Sequence, residues 1–198
     1  MLNSIKYVPA VREIAEWALK WMARDKPLLE RIVAFACLEG ILFSSAFAGI
    51  YWIKRRNVLN ALTKANEWIA RDEAIHTRFA ASLYKHFTDK WKVYPRLDEA
   101  KIHEIIREGV EVAEKFTNVA MNVELIGLNA KDMVTYIKCT ADVLCGLFGY
   151  SKIYGFINPL DWMAVIGIGN KTNFFESAVT EYSRDAESEF VFDLSHPF

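Results

Sequence analysis

Apolar residues recur at intervals of three and four along most of the sequence, and the two-residue alternation of strands is almost absent. Such intervals place apolar side chains on one face of an α-helix, so the pattern predicts an all-α protein. The pattern is interrupted at Pro27, Pro95 and Gly149, residue types that end helices. It predicts five helices, over residues 8–23, 29–55, 62–87, 98–123 and 130–148.

Polar residues and glycine mark the expected helix ends. Thr63 is expected to cap the third helix, with Asn66 or Glu67 in its first turn. Asp98 is expected to cap the fourth helix, and Gly149 to close the fifth in a left-handed conformation. At these positions we expect the backbone N–H and C=O groups at the helix ends to form hydrogen bonds that the helix itself cannot provide.

The second predicted helix has apolar residues on every face. Residues 32–53 form a run long enough to cross a bilayer, which takes about 20 apolar residues, and Lys54-Arg55-Arg56 follow it. Glu39 lies inside the run, and a carboxylate there costs roughly 2.5 kcal/mol or more in lipid. A helix that is apolar all round either spans a membrane or is buried in a core. The pattern alone leaves both interpretations open.

Downstream of the fifth helix the sequence changes character. Residues 158–162, Asn-Pro-Leu-Asp-Trp, predict a turn with an aromatic anchor, and residues 171–176 precede a short helix ending near Arg184. The segment 185–198 is acidic in its first part and is expected to be a flexible interaction tail. We therefore expect one domain over residues 1–184, followed by the tail.

Composition narrows the class of protein. The 198 residues, of which 53% are hydrophobic, are enough for one domain with a substantial core. The 24 basic and 25 acidic residues nearly cancel, which argues against nucleic acid or an anionic membrane surface as a partner. Three cysteines without metal-type spacing, and an N-terminus without the form of a secretory signal, favour a reducing, cytoplasmic compartment.

Two motifs could carry metal chemistry. Glu73-Ala-Ile-His76 puts a carboxylate and an imidazole on one helix face, although such a pair is more often a solvated surface. Glu39 is the only ionisable residue between Arg31 and Lys54, and a buried carboxylate needs a cation, an arginine or a proton to compensate it. Dimetal bundles use a lone Glu from each of two helices and a Glu-x-x-His from each of two others. This sequence holds one of each.

The sequence around these motifs resembles a known family. FACLEGILFSSAF around Glu39 and IARDEAIH at residues 69–76, with 34 residues from Glu39 to Glu73, resemble the ligand-bearing helices of the small, radical-generating subunit of class I ribonucleotide reductase. Further landmarks follow in the family's order, at residues 125–129, 158–159, 171–175 and 181–182. The resemblance implies a ferritin-like helical bundle, incomplete and with a flexible C-terminal tail, in which the long apolar helix is the buried centre.

The resemblance also implies roles for individual residues. Three would be metal ligands: Glu39, Glu73 and His76. Three would line the apolar pocket that shields the radical, although ordinary core packing suits them equally well: Phe43, Phe47 and Ile69. Asp72 and Tyr182 would take part in radical transfer between the subunits. Four tail residues would dock on the large subunit: Phe190, Phe192, Asp193 and Phe198.

The family's first half has no counterpart in this sequence. That half brings an aspartate, a lone glutamate, a second Glu-x-x-His and normally the radical tyrosine, so the dinuclear centre is incomplete here. We expect a split small subunit whose separate N-terminal half completes a Fe/Fe site, with Mn/Fe or Mn/Mn as alternatives because all use the same ligand types. The expected further partners are the large subunit and a second small subunit, as a dimer.

Two other interpretations remain open. One is a non-catalytic interaction protein that occupies the large subunit through its tail. The other is a fragment, whose exposed bundle face would make it aggregate or pair with itself. Two copies could also bring together two lone glutamates and two Glu-x-x-His motifs, but nothing in the sequence supplies the radical tyrosine at the expected place.

Overall fold

Helices dominate the part of the protein that the computed structural model describes, residues 7–123 and 125–163. The α-helices are α1 Pro9–Trp21, α2 Leu28–Cys37, α3 Ser44–Lys54, α4 Asn60–Lys85, α5 Glu99–Ala120 and α6 Ala130–Phe148. Two π-helical segments, Leu38–Leu42 and His86–Lys90, follow α2 and α4 directly. The α2 helix, its π-helical segment and α3 form one continuous helix, Leu28–Lys54. The predicted all-α class and its five helices are therefore confirmed.

The long apolar helix Leu28–Lys54 is the core of the bundle. It is long and apolar enough to cross a membrane, yet 56% of its most apolar window is buried inside the protein. Its parts contact α4, α5 and α6. Val33, Ala34 and Ile41 are fully enclosed by these neighbours, so packing against the other helices accounts for its apolar character.

The ends of α6 follow from their sequence. At its start the Asn129 side chain accepts a hydrogen bond from the backbone N–H of Asp132 at 2.8 Å. At its end Gly149 takes the left-handed conformation at φ 84°, and the N–H of Tyr150 donates to Cys145 O at 2.9 Å. Glycine adopts this conformation without a steric penalty. The predicted role of Gly149 is confirmed.

The start of α4 differs from the prediction. The helix begins at Asn60, after Leu59 in a left-handed conformation at φ 54°. Thr63 already lies in the first turn, and its hydroxyl donates to Asn60 O at 3.1 Å. The prediction that Thr63 caps this helix, with Asn66 or Glu67 in the first turn, is therefore wrong. Asp98 does occupy the N-cap position of α5, but its side chain makes no capping hydrogen bond there.

A hydrogen-bonded cluster closes the bundle where α4 and α6 end. The Tyr84 and Tyr150 hydroxyls lie 2.7 Å apart, the N–H of Leu97 donates to Tyr84 at 2.9 Å, and the Tyr150 hydroxyl donates to Leu97 O at 2.7 Å. Burial and the bond to Tyr150 raise the pKa of Tyr84 above its usual value. We call this cluster, together with Asp142, the closed end.

Asp142 fixes the segment that leaves α6. It is buried, and its carboxylate accepts three backbone N–H groups, from Ile153 at 2.8 Å, Tyr154 at 2.9 Å and Gly155 at 2.7 Å. A carboxylate suits three donors because it has only acceptor sites. Beyond this loop, residues 158–162 form the predicted turn, in which the N–H of Leu160 donates to the Asn158 side chain at 2.9 Å.

Candidate metal centre

Glu39 lies in the π-helical segment Leu38–Leu42, where the long helix comes close to α4. The next residue, Gly40, has no side chain, and a Cβ there would meet Thr77 of α4 at 3.2 Å. A π-helical turn inserts an extra residue into the helix, and such turns are frequent at functional sites. The glycine and the π-helical turn together bring the Glu39 backbone against α4.

The three predicted ligands come together in the structure. Glu73 and His76 are three residues apart on α4, and Glu73 Oε2 lies 2.9 Å from His76 Nδ1. Glu39 Oε2 reaches the same Nδ1 at 3.9 Å, and one ligand atom from each residue lies within 4.8 Å of the others. Glu39 and Glu73 are mostly covered, with side chains 12% and 19% exposed, whereas His76 is 52% exposed. Their role as ligands stays a prediction.

The three side chains of the cluster shift one another's pKa values. Burial, followed by the hydrogen bond and the charge of Glu73, raises the pKa of Glu39 to about 7. Burial also acts to raise the pKa of Glu73, but the hydrogen bonds with Glu39 and His76 outweigh it and hold that pKa below the usual value. The hydrogen bond with Glu73 raises the pKa of His76. A divalent cation would replace the protons on these side chains, since metal ligands bind in their deprotonated forms.

Two carboxylates and one imidazole are a donor set that suits iron or manganese. Three donors fit one side of a dimetal centre, which in bundle proteins takes a lone Glu and a Glu-x-x-His from each half. Within the described residues, this is the one group of three or more carboxylate, imidazole or thiolate side chains close enough to share an ion. The residues therefore fit half of such a centre.

A cavity of about 20 Å³ borders Glu39 and Glu73, which is room for about one water molecule. Phe47 lines this cavity and is buried. Phe43 is 38% exposed, with its ring centroid 6.3 Å from that of Phe47, and Ile69 lies on the exposed side of α4. Of the three predicted pocket residues, Phe47 alone therefore lines the cavity beside the cluster.

The remaining predicted site residues fall into two groups. Asp72 is exposed on α4, next in sequence to Glu73, and its charge contributes to the raised pKa of His76. The others lie outside the described residues: Tyr182, Phe190, Phe192, Asp193 and Phe198. The short helix expected before Arg184 lies outside them as well.

An exposed apolar surface lies beside the cluster, and the sequence did not show which residues would form it. Trp68, Ile69, Ile75 and Phe79 project from one side of α4 with 50% to 63% of their surface accessible, and His76 lies among them. We call these four residues the open face. Their spacing along the helix is visible in the sequence, but which side of an amphipathic helix remains uncovered depends on the neighbouring helices.

The sequence is similar to those of known proteins. The sequence profile described as ribonucleotide reductase, small chain, matches residues 1–159. The protein belongs to the ribonucleotide reductase small chain family. It is 41% identical over 184 residues to a ribonucleoside-diphosphate reductase small chain of Arabidopsis thaliana, and 42% identical over 184 residues to a small chain of Variola virus.

These matches cover most of this protein but only part of each relative. They span 93% of the 198 residues, 54% of the Arabidopsis protein and 56% of the Variola virus protein. The protein therefore spans about half the length of the curated relatives it matches. The predicted resemblance to this family, as a partial small subunit, is confirmed at this level.

Solved structures agree on the fold. The homodimer of the ribonucleotide reductase Rnr4 from Saccharomyces cerevisiae matches with a TM-score of 0.72 and 30% identity, covering 91% of this protein and 53% of that one. A class I ribonucleotide reductase described from Bacillus halodurans matches with a TM-score of 0.73 at 21% identity, over 81% and 61% of the two proteins. The predicted small-subunit-like helical bundle is confirmed.

Proposed function

We propose that this protein is one half of a ribonucleotide reductase small subunit that works with a separate polypeptide carrying the other half. Glu39, Glu73 and His76 would hold one side of a dimetal centre, and the partner would supply the other ligands. The observation that carries the proposal is that this three-donor cluster opens onto the exposed apolar open face. The curated relatives, about twice the matched length, support it.

The relatives are named ribonucleoside-diphosphate reductases, so the reaction we propose is the conversion of ribonucleoside diphosphates to deoxyribonucleotides in the cytoplasm. A bound dimetal centre would supply the one-electron oxidation that generates a radical. We infer a Fe/Fe centre, with Mn/Fe or Mn/Mn fitting the same donors. Glu39 and Glu73 would bind as carboxylates and His76 as a neutral imidazole, with protons released from Glu39 and His76 on binding.

Other residues would act around the centre. Phe47, with Phe43 and Ile69 once a partner covers them, would keep water from an oxidised side chain. Asp72 would orient His76 and connect it to radical transfer. In this proposal Tyr182 relays oxidation to the large subunit, and a second small subunit forms a dimer with the first. Four tail residues would dock on the large subunit: Phe190, Phe192, Asp193 and Phe198.

The test is to mix the protein with the half of the Arabidopsis thaliana small chain that the match leaves uncovered, and to add ferrous iron and oxygen. We expect a stable complex by sedimentation and a radical signal by electron paramagnetic resonance. The Glu73→Gln variant should form the complex but lose the radical signal. Absence of both complex and signal would refute the proposal. A complex without a radical from the unaltered protein would refute the catalytic role. The non-catalytic alternative, which occupies the large subunit through its tail, is refuted if truncation at Phe198 leaves binding to the large subunit unchanged.

A further inference from the structure

A groove of about 320 Å³ lies beside the open face, between the start of the long helix and the later turns of α4. Its walls are mostly apolar and include Met22, Leu28, Ile32, Phe35, Phe79 and Leu83. Phe79 belongs to both the groove and the open face. Groove and open face therefore meet at Phe79.

Arg31 is the charged residue in the wall of this groove. Its Nε atom is shielded from solvent, and it has no hydrogen-bond partner among the described residues. A shielded donor without an acceptor destabilises the protein. An acceptor brought in by whatever fills the groove would remove this destabilisation, and a carboxylate matches the guanidinium best.

The groove also lies next to the metal-ligand cluster. The Phe35 ring in its wall lies 6.5 Å from the His76 imidazole, centroid to centroid, and Phe79 follows His76 by three residues, just under one turn of α4. A helix is about 10 Å wide with its side chains. A helix lying in the groove would therefore also pass the exposed side of His76.

We propose that this groove receives a helix of the complementary small-subunit half, which fills it with apolar side chains and pairs an Asp or Glu with Arg31. This inference rests on the proposed function, because the occupant is the partner that completes the ligand set. The shielded Arg31 Nε gives the charge complementarity, and the length of the relatives leaves about half of a small subunit outside the matched region. The residues after 163 and a second copy of this protein are the competing occupants.

The experiment measures the affinity of the full-length protein for the uncovered half of the Arabidopsis thaliana small chain, without metal. Arg31→Gln should weaken the complex about 30-fold or more, as loss of one partner of a buried charge pair does. Arg107→Gln, an exposed arginine on α5, is the matched control and should change the affinity less than twofold. Circular dichroism melting of both variants checks that the protein still folds.

A second pair of variants tests the apolar contact. Phe79→Ser should weaken the complex about 10-fold or more. Leu19→Ser should not, although Leu19, on α1, is even more exposed than Phe79, at 74% against 63%. The Arg31→Glu variant identifies the partner carboxylate. This variant should bind the partner weakly, and changing one acidic residue of the partner to lysine should restore the binding. Restoration by a single position supports the proposal, and failure at every acidic position overturns it.

The outcomes separate the two proposals. If the unaltered protein forms no complex, the proposed function fails and this inference fails with it. If the complex forms and radical generation succeeds, but Arg31→Gln and Phe79→Ser bind like their controls, only this inference is overturned. It is also overturned if Arg31→Gln and Phe79→Ser no longer weaken the complex once residues 164–198 are removed, or if Arg31→Gln disrupts a dimer of this protein alone while sparing the complex.

Discussion

The closed end and the open face both involve the helix α4, but they differ in whether their side chains find contacts within the protein. At the closed end, the Tyr84 and Tyr150 hydroxyls and the Asp142 carboxylate all find hydrogen-bond partners within the protein. On the open face, Trp68, Ile69, Ile75 and Phe79 remain exposed beside a three-donor cluster. The polar side chains of the closed end are hydrogen-bonded within the protein, whereas the apolar side chains of the open face are exposed to solvent.

This difference separates what stabilises the protein from what gives it a function. Monomeric soluble proteins seldom expose contiguous apolar surface of this kind, and where it occurs it marks an interaction site. We therefore expect substitutions at the closed end to lower the stability of the protein alone. Substitutions on the open face should leave that stability unchanged and act only when the partner is present.

The largest effect is expected at Asp142. Asp142→Ala removes the shared acceptor of three backbone N–H groups and leaves part-buried donors without it, at a cost of about 3 kcal/mol in the free energy of unfolding. Urea unfolding followed by circular dichroism measures it. Asp161→Ala, an exposed aspartate, is the control and should cost less than about 0.5 kcal/mol. Equal stability of the two variants would contradict the importance of the closed end.

A smaller loss is expected at Tyr84. Tyr84→Phe keeps the ring, which packs edge-on against Phe148 at 5.2 Å, but removes the acceptor of the Leu97 N–H. The expected cost is about 1–2 kcal/mol. Tyr94→Phe, at an exposed tyrosine, should lie within about 0.5 kcal/mol of the unaltered protein. If both tyrosines behaved alike in urea unfolding, the hydrogen-bonded cluster would not contribute to stability.

The residues that form the open face could not be predicted from the sequence. Helix periodicity located the helices because it depends on local spacing, and Gly149 marked the end of α6 because few residues adopt its conformation. The prediction that Thr63 caps α4 was wrong because polar residues before it, such as Asn60, can also begin a helix. The motif Glu73-x-x-His76 specified a helix face, but the covered or exposed state of that face depends on helices far away in sequence.

A third effect depends on pH. Burial, and after it the charge of Asp142, raises the pKa of Cys145 from 9 to about 12. A thiol with a raised pKa in the folded state contributes stability below pH 9, which is lost as pH rises towards 12, because the unfolded protein releases the proton first. By pH 10 the loss is about 1 kcal/mol. Cys145→Ala should therefore lose less stability between pH 8 and pH 10 than the unaltered protein, and equal losses would contradict this assignment.

The smallest effect on the protein alone is expected on the open face. Trp68 is 58% exposed, so Trp68→Ser should change the free energy of unfolding by less than about 0.5 kcal/mol. Trp21, only 2% exposed, is the matched buried tryptophan, and its truncation should cost several kcal/mol. Thermal melting of both variants compares them directly. A large loss for Trp68→Ser would mean that the open face is covered within the protein itself.

The central claim, that Glu39, Glu73 and His76 form half of a dimetal centre, is tested most directly by counting bound metal. Iron is measured after equilibrium dialysis for the protein alone and for its complex with the uncovered half of the Arabidopsis thaliana small chain. We predict weak, substoichiometric binding by the protein alone and two irons per complex, lost in Glu39→Gln. Two tightly bound irons on the protein alone, or none in a stable complex, would contradict the claim.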